Sequence, residues 1–296
     1  MALVKLGARA REPKPAWLKV RMPGGGRYEL VKQTLRELKL HTVCEEASCP
    51  NVGECWGSGT ATVMLMGKTC TRGCRFCDVE SGMPEPLDPL EPRHLAEAVG
   101  RLGLDYLVVT SVNRDELSDG GASHFAQAIV ELRRAAPKTL VEVLTPDFQG
   151  SRAALDMIAD AGPTVAAHNL ETVERLTPKV RDRRASYRQS LDVLAYYKSR
   201  GMRTKSSLMV GVGEEPAEVS QAMRDLRAVD CDILTVGQYL RPSEKHLAVE
   251  QFVEPEQFAE YEREGLELGF KFVAAGPLVR SSYKAGEFFI QRWVAN

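Results

Sequence analysis

The stretch ATVMLMGKTCTRGCRFCDV, residues 61–79, joins a short apolar run to a cysteine triplet, and its reading decides the fold. Residues 61–66 are a strand candidate. Cys70, Cys74 and Cys77 follow at the spacing CxxxCxxC. Three thiolates are one ligand short of a closed structural zinc site or a ferredoxin-type cluster. A four-iron cluster held by three thiolates keeps one iron open to a substrate or cofactor. A second triplet lies upstream, Cys44, Cys49 and Cys55 at the spacing CxxxxCxxxxxC, and it is also one ligand short.

Downstream the pattern of strand then helix repeats. Strands are expected at 61–66, 106–111, 139–144, 164–168, 204–210 and 233–238, and helices at 91–102, 122–136, 151–161, 186–200 and 216–229. Six such units argue for an α/β fold, a parallel sheet with helices outside it, either doubly wound or curled into a partial barrel. Chemistry in a barrel sits at the C-terminal ends of the strands. The polar words CTRGCRFC, SVNRDE, TPDF, HNLET, GVGEE and GQYLRPSEKH follow the six strands in turn, so all converge on one mouth. GVGE lacks the length and the lysine of a P-loop, and its glycines read as letting the backbone approach a bound adenine or as finishing the strand. If alternation holds, Lys205, Ser207, Tyr239 and Arg241 face the mouth. A tail adds a seventh strand candidate at 271–274, the word GPLVRSSY and a helix toward Trp293. Upstream, Leu30, Leu35 and Leu38 show helical spacing within residues 28–40. The first triplet, among Pro50, Gly53, Gly57 and Gly59, reads as a loop wrapped on its metal.

At 296 residues the chain suits one large α/β barrel, and a net charge of -1 carries no global nucleic-acid footprint. No apolar run approaches the ~20 residues that span a bilayer. The chain therefore reads as neither a nucleic-acid nor a membrane protein. Seven cysteines, six of them clustered, fit a reducing cytoplasm better than a secreted disulfide scaffold. The basic residues 1–27 lack serine and contain Pro13, Pro15 and Pro23, which argues against an amphipathic targeting helix. A zinc knuckle borrowing a distant histidine is the plain alternative for either triplet. The five histidines, His41, His94, His124, His168 and His246, include no HxxxH pair near them.

The words CEEASCPNVGECW (44–56), residues 61–79 and RSSY (280–283), with TSVNRDEL, HNLETV and KSSLMVGVGE, together resemble the lipoyl synthase family of radical S-adenosylmethionine (radical SAM) enzymes. The resemblance runs from about residue 28 to residue 285. It implies a partial (β/α)6 TIM-like barrel over 61–240, an N-terminal arm and auxiliary cluster-binding extension over 1–60, and a C-terminal extension over 241–296 carrying RSSY. The implied activity is that of a sulfurtransferase that inserts two sulfurs at C6 and C8 of a protein-bound octanoyl-lysine in lipoate biosynthesis.

Two [4Fe-4S] clusters and S-adenosylmethionine are implied as cofactors. One cluster, on Cys70, Cys74 and Cys77, cleaves S-adenosylmethionine to methionine and a 5'-deoxyadenosyl radical. The other, on Cys44, Cys49 and Cys55, is the sulfur source, with Ser282 as its fourth ligand. A hard serine oxygen is an unusual and replaceable iron ligand, which suits a cluster meant to be dismantled. Without the family likeness, Arg280, Ser281, Ser282 and Tyr283 read as a polar turn. Phe76 matches the aromatic residue near the adenine, and Asn113, Arg114, His168, Glu171 and Arg183 are the expected polar contacts to S-adenosylmethionine. Each of these five alone reads equally as a capping or surface residue. Cys231 reads as a buried inert thiol.

The implied partners are octanoylated lipoyl carrier domains of 2-oxoacid dehydrogenase E2 subunits or the glycine-cleavage H protein. A flavodoxin or ferredoxin reductant and an iron-sulfur cluster carrier complete the set. The rivals are another radical enzyme, such as a methylthiotransferase or a biotin-synthase-like sulfur inserter, and a non-catalytic scaffold with zinc in both triplets.

Overall fold

The computed structural model describes residues 14–19, 24–47, 49–57, 60–282 and 293. After helix α1 (Gly26–Glu37) come strand β1 (His41–Thr42) and the short helices α2 (Val43–Glu46) and α3 (Val52–Gly57). Strand β2 (Thr62–Leu65) enters the body, and the ribbon β3 (Thr69–Cys70) and β4 (Glu80–Ser81) brackets the second cysteine triplet. Helix and strand then alternate through α4 (Glu91–Leu102), β5 (Tyr106–Ser111), α5 (Ala122–Ala135), β6 (Leu140–Leu144), α6 (Arg152–Ala161) and β7 (Val165–Ala167). The series continues with α7 (Thr177–Val180), α8 (Tyr187–Ser199), β8 (Thr204–Val210), α9 (Pro216–Ala228), β9 (Ile233–Gln238), α10 (Pro255–Glu267) and β10 (Phe272–Gly276).

The main sheet runs β1-β2-β5-β6-β7-β8-β9-β10, antiparallel at β1 and parallel from β2 onward. Its outer strands β1 and β10 do not pair with each other, so the barrel is left open. That the sheet is curled follows from its interior. Tyr106, Val165 and Ile233, from the alternate strands β5, β7 and β9, pack into one apolar cluster with Leu140, Phe272 and Trp293. Leu140 comes from β6 and Phe272 from β10, so five strands meet in this one interior cluster, as the strands of a curled sheet do. Just above this floor, Lys205 of β8 donates to both oxygens of Glu142 on β6 (2.7 and 2.9 Å), and the Tyr106 hydroxyl donates to the same carboxylate. The fold is thus the expected partial TIM-like α/β barrel. Lys205 faces its interior, but it is tied to Glu142.

The helices form where apolar residues recur at i, i+3 and i+4, as Leu95, Ala98 and Val99 do in α4. Several ends are capped in the sequence itself: Ser151 and Ser186 accept the first free amides of α6 and α8, and Glu215 and Glu218 form a capping box ahead of α9. The tail candidate becomes β10, paired along its length with β9 from Phe272↔Ile233 to Gly276↔Gly237.

The loop expected around the first triplet is instead two short helices. Thr42 caps α2 by accepting from the Glu45 amide. In α3, Cys55 and Trp56 are buried, and the Trp56 ring packs on Tyr28 of α1 at 5.1 Å. Burial of Trp56 outweighs the turn preference of Pro50, Gly53 and Gly57. Of the helix expected toward Trp293, all but Trp293 itself lies outside the described residues, and the Arg203 guanidinium stacks over that ring at 5.2 Å. Among the described residues no helix is long and apolar enough to cross a membrane.

Candidate active site

The segment from Cys70 to Cys77 leaves β3 at the mouth of the barrel and is fastened from three sides. On the β5 side, the Asn113 amide donates to Cys70 Sγ (3.3 Å), joined there by the amide of Arg72 (3.4 Å), and the Thr71 amide donates to the Asn113 carbonyl. From the loop after α7, the Asp182 amide donates to Cys74 Sγ (3.3 Å), while the Arg75 amide donates to the Val180 carbonyl. From the loop after β9, His246 Nε2 donates to the Cys77 carbonyl (3.0 Å) and the Leu247 amide to the Arg75 carbonyl.

The three cysteines are free and half-buried. Burial pushes the Cys74 thiol up to about 11 and the Cys77 thiol up to about 12, so neither ionises at neutral pH on its own. A bound metal deprotonates such a thiol outright. The backbone amides aimed at Cys70 and Cys74 are the groups that stabilise sulfur charge in iron-sulfur proteins. The donor set therefore fits a cluster. Among the described residues, no three His, Cys, Asp or Glu side chains converge on the single point that one metal ion requires. In a cluster each thiolate binds its own iron.

Beneath the triplet lies an ion network that no local sequence signal announced. Arg72, only 3% exposed, donates from Nε and Nη2 to Asp115 (2.9 and 2.8 Å) and from Nη1 and Nη2 to Asp147 (2.8 and 2.7 Å). Arg184 extends it, pairing with Asp115 (3.3 Å) and Asp182 (2.8 Å), and Asp182 accepts from the Gly73 amide. Desolvation alone would raise the Asp147 carboxyl, but the hydrogen bonds and charge of Arg72 overcome it and hold it at about 2.

The six residues expected around S-adenosylmethionine separate into groups. Asn113 touches the cysteine segment directly through its backbone. Glu171 sits in a left-handed conformation (φ 67°), where its amide donates to the Ser207 carbonyl and its carbonyl accepts from Met209. Burial raises its carboxyl, opposed by the charge of Arg181 and by Asn169, and its charge in turn is felt at Cys74 and Cys77. Phe76 is half-buried against the outer core.

His168 and Arg114 are enclosed instead. His168 has Nδ1 on the Thr145 carbonyl (2.8 Å) and Nε2 on Ser190 Oγ (3.0 Å), and burial lowers it to about 4, so it is neutral. Ser190 Oγ also accepts from Arg181 (2.8 Å), so His168 braces Arg181. Arg114 is spent on the Met66 and Glu85 carbonyls and on Glu116. Arg183 is exposed, and its neighbours Arg181, Asp182 and Arg184 make the contacts. The word RDRR shows four charges without showing which turn inward. Of the other three residues expected at the mouth, Ser207 is buried with its carbonyl taken by the Glu171 amide, Tyr239 donates to the Leu247 carbonyl and Arg241 to that of His246.

The first triplet is held by α2 and α3. Cys44 and Cys55 are buried and Cys49 half-buried, with the Cys49 amide on the Cys44 carbonyl and the Cys55 amide on that of Asn51. Burial and then the neighbouring Cys49 raise Cys44 to about 11, against the Thr62 amide and the Trp56 indole. That indole nitrogen is buried without a hydrogen-bond partner of normal geometry among the described residues. The C-terminal word lies against this triplet: Asn51 Nδ2 donates to the Leu278 carbonyl (2.7 Å) across 227 positions of sequence. Gly237 permits the approach, because a Cβ there would stand 2.1 Å from the Val279 carbonyl oxygen. Ser282 is half-buried in the turn that follows, and Tyr283 lies outside the described residues. Cys231, fully buried, is raised to about 12 by burial.

The sequence model of the radical SAM superfamily matches residues 64–226, and that of the N-terminal domain of lipoyl synthase of the radical SAM family matches residues 2–49. A lipoyl synthase of Myxococcus xanthus (strain DK1622) is 62% identical over 280 residues, 94% of this chain and 94% of its own. One of Thermus thermophilus is 57% identical over 98% of this chain and 93% of its own. Among solved structures, HydG, a maturase of the [FeFe]-hydrogenase, aligns with a TM-score of 0.58 over 83% of this chain and 61% of its own. Its 14% identity makes that a likeness of fold alone.

Proposed function

The chain belongs to the lipoyl synthase family of the radical SAM superfamily, and on that premise we propose how its two cysteine triplets divide one reaction. It is a sulfur-inserting radical SAM enzyme that uses S-adenosylmethionine and iron-sulfur chemistry. In the proposal, Cys70, Cys74 and Cys77 of the 61–240 barrel hold one [4Fe-4S] cluster. The two extensions, 1–60 and 241–296, jointly build the site of a second on Cys44, Cys49, Cys55 and Ser282. When bound, these groups supply respectively a 5'-deoxyadenosyl radical, able to take hydrogen from an unactivated methylene, and inorganic sulfide.

The side chains do the positioning. Amides of Arg72, Asn113 and Asp182 stabilise charge on the barrel thiolates. Asn113 and Glu171 flank the triplet where the amino acid end of S-adenosylmethionine would lie, and the exposed part of Phe76 is the surface proposed for the adenine. Arg181, braced by Ser190 and neutral His168, favours the charged form of Glu171. The substrate is an octanoyl-lysine on a lipoyl carrier domain or H protein, thiolated at C6 and C8. Flavodoxin or ferredoxin supplies electrons, and an iron-sulfur carrier refills the spent site.

The observation that carries this reading is the docking of the C-terminal word on the first triplet: Asn51, between Cys49 and Cys55, holds the Leu278 carbonyl, and Ser282 follows in the next turn. Ser282→Ala leaves reductive cleavage of S-adenosylmethionine largely intact and impairs sulfur insertion, followed by mass spectrometry of an octanoyl-lysyl peptide under anaerobic turnover. Normal insertion by this variant removes Ser282 from the ligand set.

A further inference from the structure

Arg280 is the one cation of the C-terminal word GPLVRSSY. Its Nη1 donates to the Val279 carbonyl (2.6 Å) and more weakly to that of Pro277 (3.5 Å), which folds the side chain back on its own turn. That turn is fixed at two further points, the Asn51 bond to Leu278 and the close approach of Val279 to Gly237. The guanidinium therefore has little freedom to swing away. Its Nη2 is buried, yet has no hydrogen-bond partner among the described residues. A buried donor of a charged group left without an acceptor is costly, and native structures rarely keep one without a reason. The turn that carries it is docked on Asn51, two residues beyond Cys49, the least buried thiol of the first triplet, whose charge reaches it.

A cluster on three thiolates and a serine oxygen is an anion in a largely buried site, where Glu45 adds further negative charge felt at Cys44. Arginine suits such a place better than lysine, because guanidinium keeps its proton when buried. We propose that Arg280 is a positioning residue for the auxiliary cluster: its unpaired Nη2 donates to the sulfur shell at Cys49 and its charge balances the cluster's anionic charge. The inference rests on the two-cluster reading above. A cation and an N–H···S donor favour the reduced, more negative cluster, so Arg280 raises its midpoint potential and slows its loss.

The experiment uses the full chain with Cys70, Cys74 and Cys77 replaced by alanine, reconstituted anaerobically with iron and sulfide. Its first arm counts iron: about four per chain supports a cluster on the first triplet. No iron there overturns the two-cluster reading itself, whatever Arg280 does. The second arm adds Arg280→Gln or Arg280→Lys and follows the midpoint potential and the rate of iron release to a chelator, with the fold checked by circular dichroism. Arg280→Gln is expected to shift the potential negative and speed iron release about tenfold, the lower range for losing an outer-shell partner. Arg280→Lys, which keeps a charge, recovers part of both. Equal behaviour of the two variants, whether both resemble the parent or both fail to take up iron, overturns the inference.

Discussion

Arg72→Met lowers the stability of the fold by about 3–5 kcal/mol, the range for removing one partner of a buried ion pair. Arg72 neutralises two carboxylates at once, and Asp147 beside it is only 1% exposed. Without the guanidinium, Asp147 must either remain charged in a dry site or take up a proton. Asp115 fares better, because it is 11% exposed and also meets Arg184. The same substitution frees the cysteine segment, since Arg72 sits between Cys70 and Cys74. Anaerobic urea denaturation of the metal-free protein at neutral pH measures the loss, and a decrease below about 1 kcal/mol, typical of a surface pair, contradicts the account.

The network also sets an acid limit. The folded carboxyl of Asp147 titrates at about 2 against its usual 3.8. A carboxyl depressed by folding contributes stability that is present above the unfolded value and is lost as pH falls through the folded one. Its contribution of roughly 2 kcal/mol therefore disappears between about pH 4 and pH 2. Arg72→Met lacks this segment of the pH profile.

Cys49→Ala abolishes sulfur insertion while leaving 5'-deoxyadenosine production in place. The expected loss of insertion exceeds about 100-fold, beyond what an outer-shell partner costs. Cys74→Ala is expected to lose both reactions, because it breaks the site proposed to bind and cleave S-adenosylmethionine. The asymmetry follows from the placement of the two triplets, one on loops at the barrel mouth and one on α2 and α3 against the C-terminal turn. Assaying 5'-deoxyadenosine and thiolated peptide in the same reaction separates the two losses. Full insertion by Cys49→Ala, or loss of cleavage with it, breaks the division of labour.

The regular elements were legible because their signals are local. Strands β5 and β9 open on the apolar runs YLVV and ILTV, since a parallel strand is covered on both faces and turn residues bound it. The first triplet misled because Pro50 and Gly53 outvoted a pattern whose decisive term, burial of Trp56 against Tyr28, is tertiary. The cysteines announced themselves by spacing, but the residues that aim them did not. Arg72 meets Asp115 and Asp147 across 43 and 75 positions, and nothing in NRDE or TPDF says which charge is taken. His168 and Glu171 stand three residues apart in one word, yet one is closed on both ring nitrogens and the other lies beside the thiols. Geometry alone distinguishes them.

The central claim is that one chain both generates the radical and surrenders its own sulfide. It is tested most directly by rebuilding the protein with heavy-isotope sulfide and supplying octanoyl-lysyl peptide, S-adenosylmethionine and reductant, with no other sulfur source. The account predicts product in which both added sulfurs are heavy, formed no more than about once per chain. Unlabelled sulfur in the product, or sustained turnover without any means of refilling the first triplet, would contradict it.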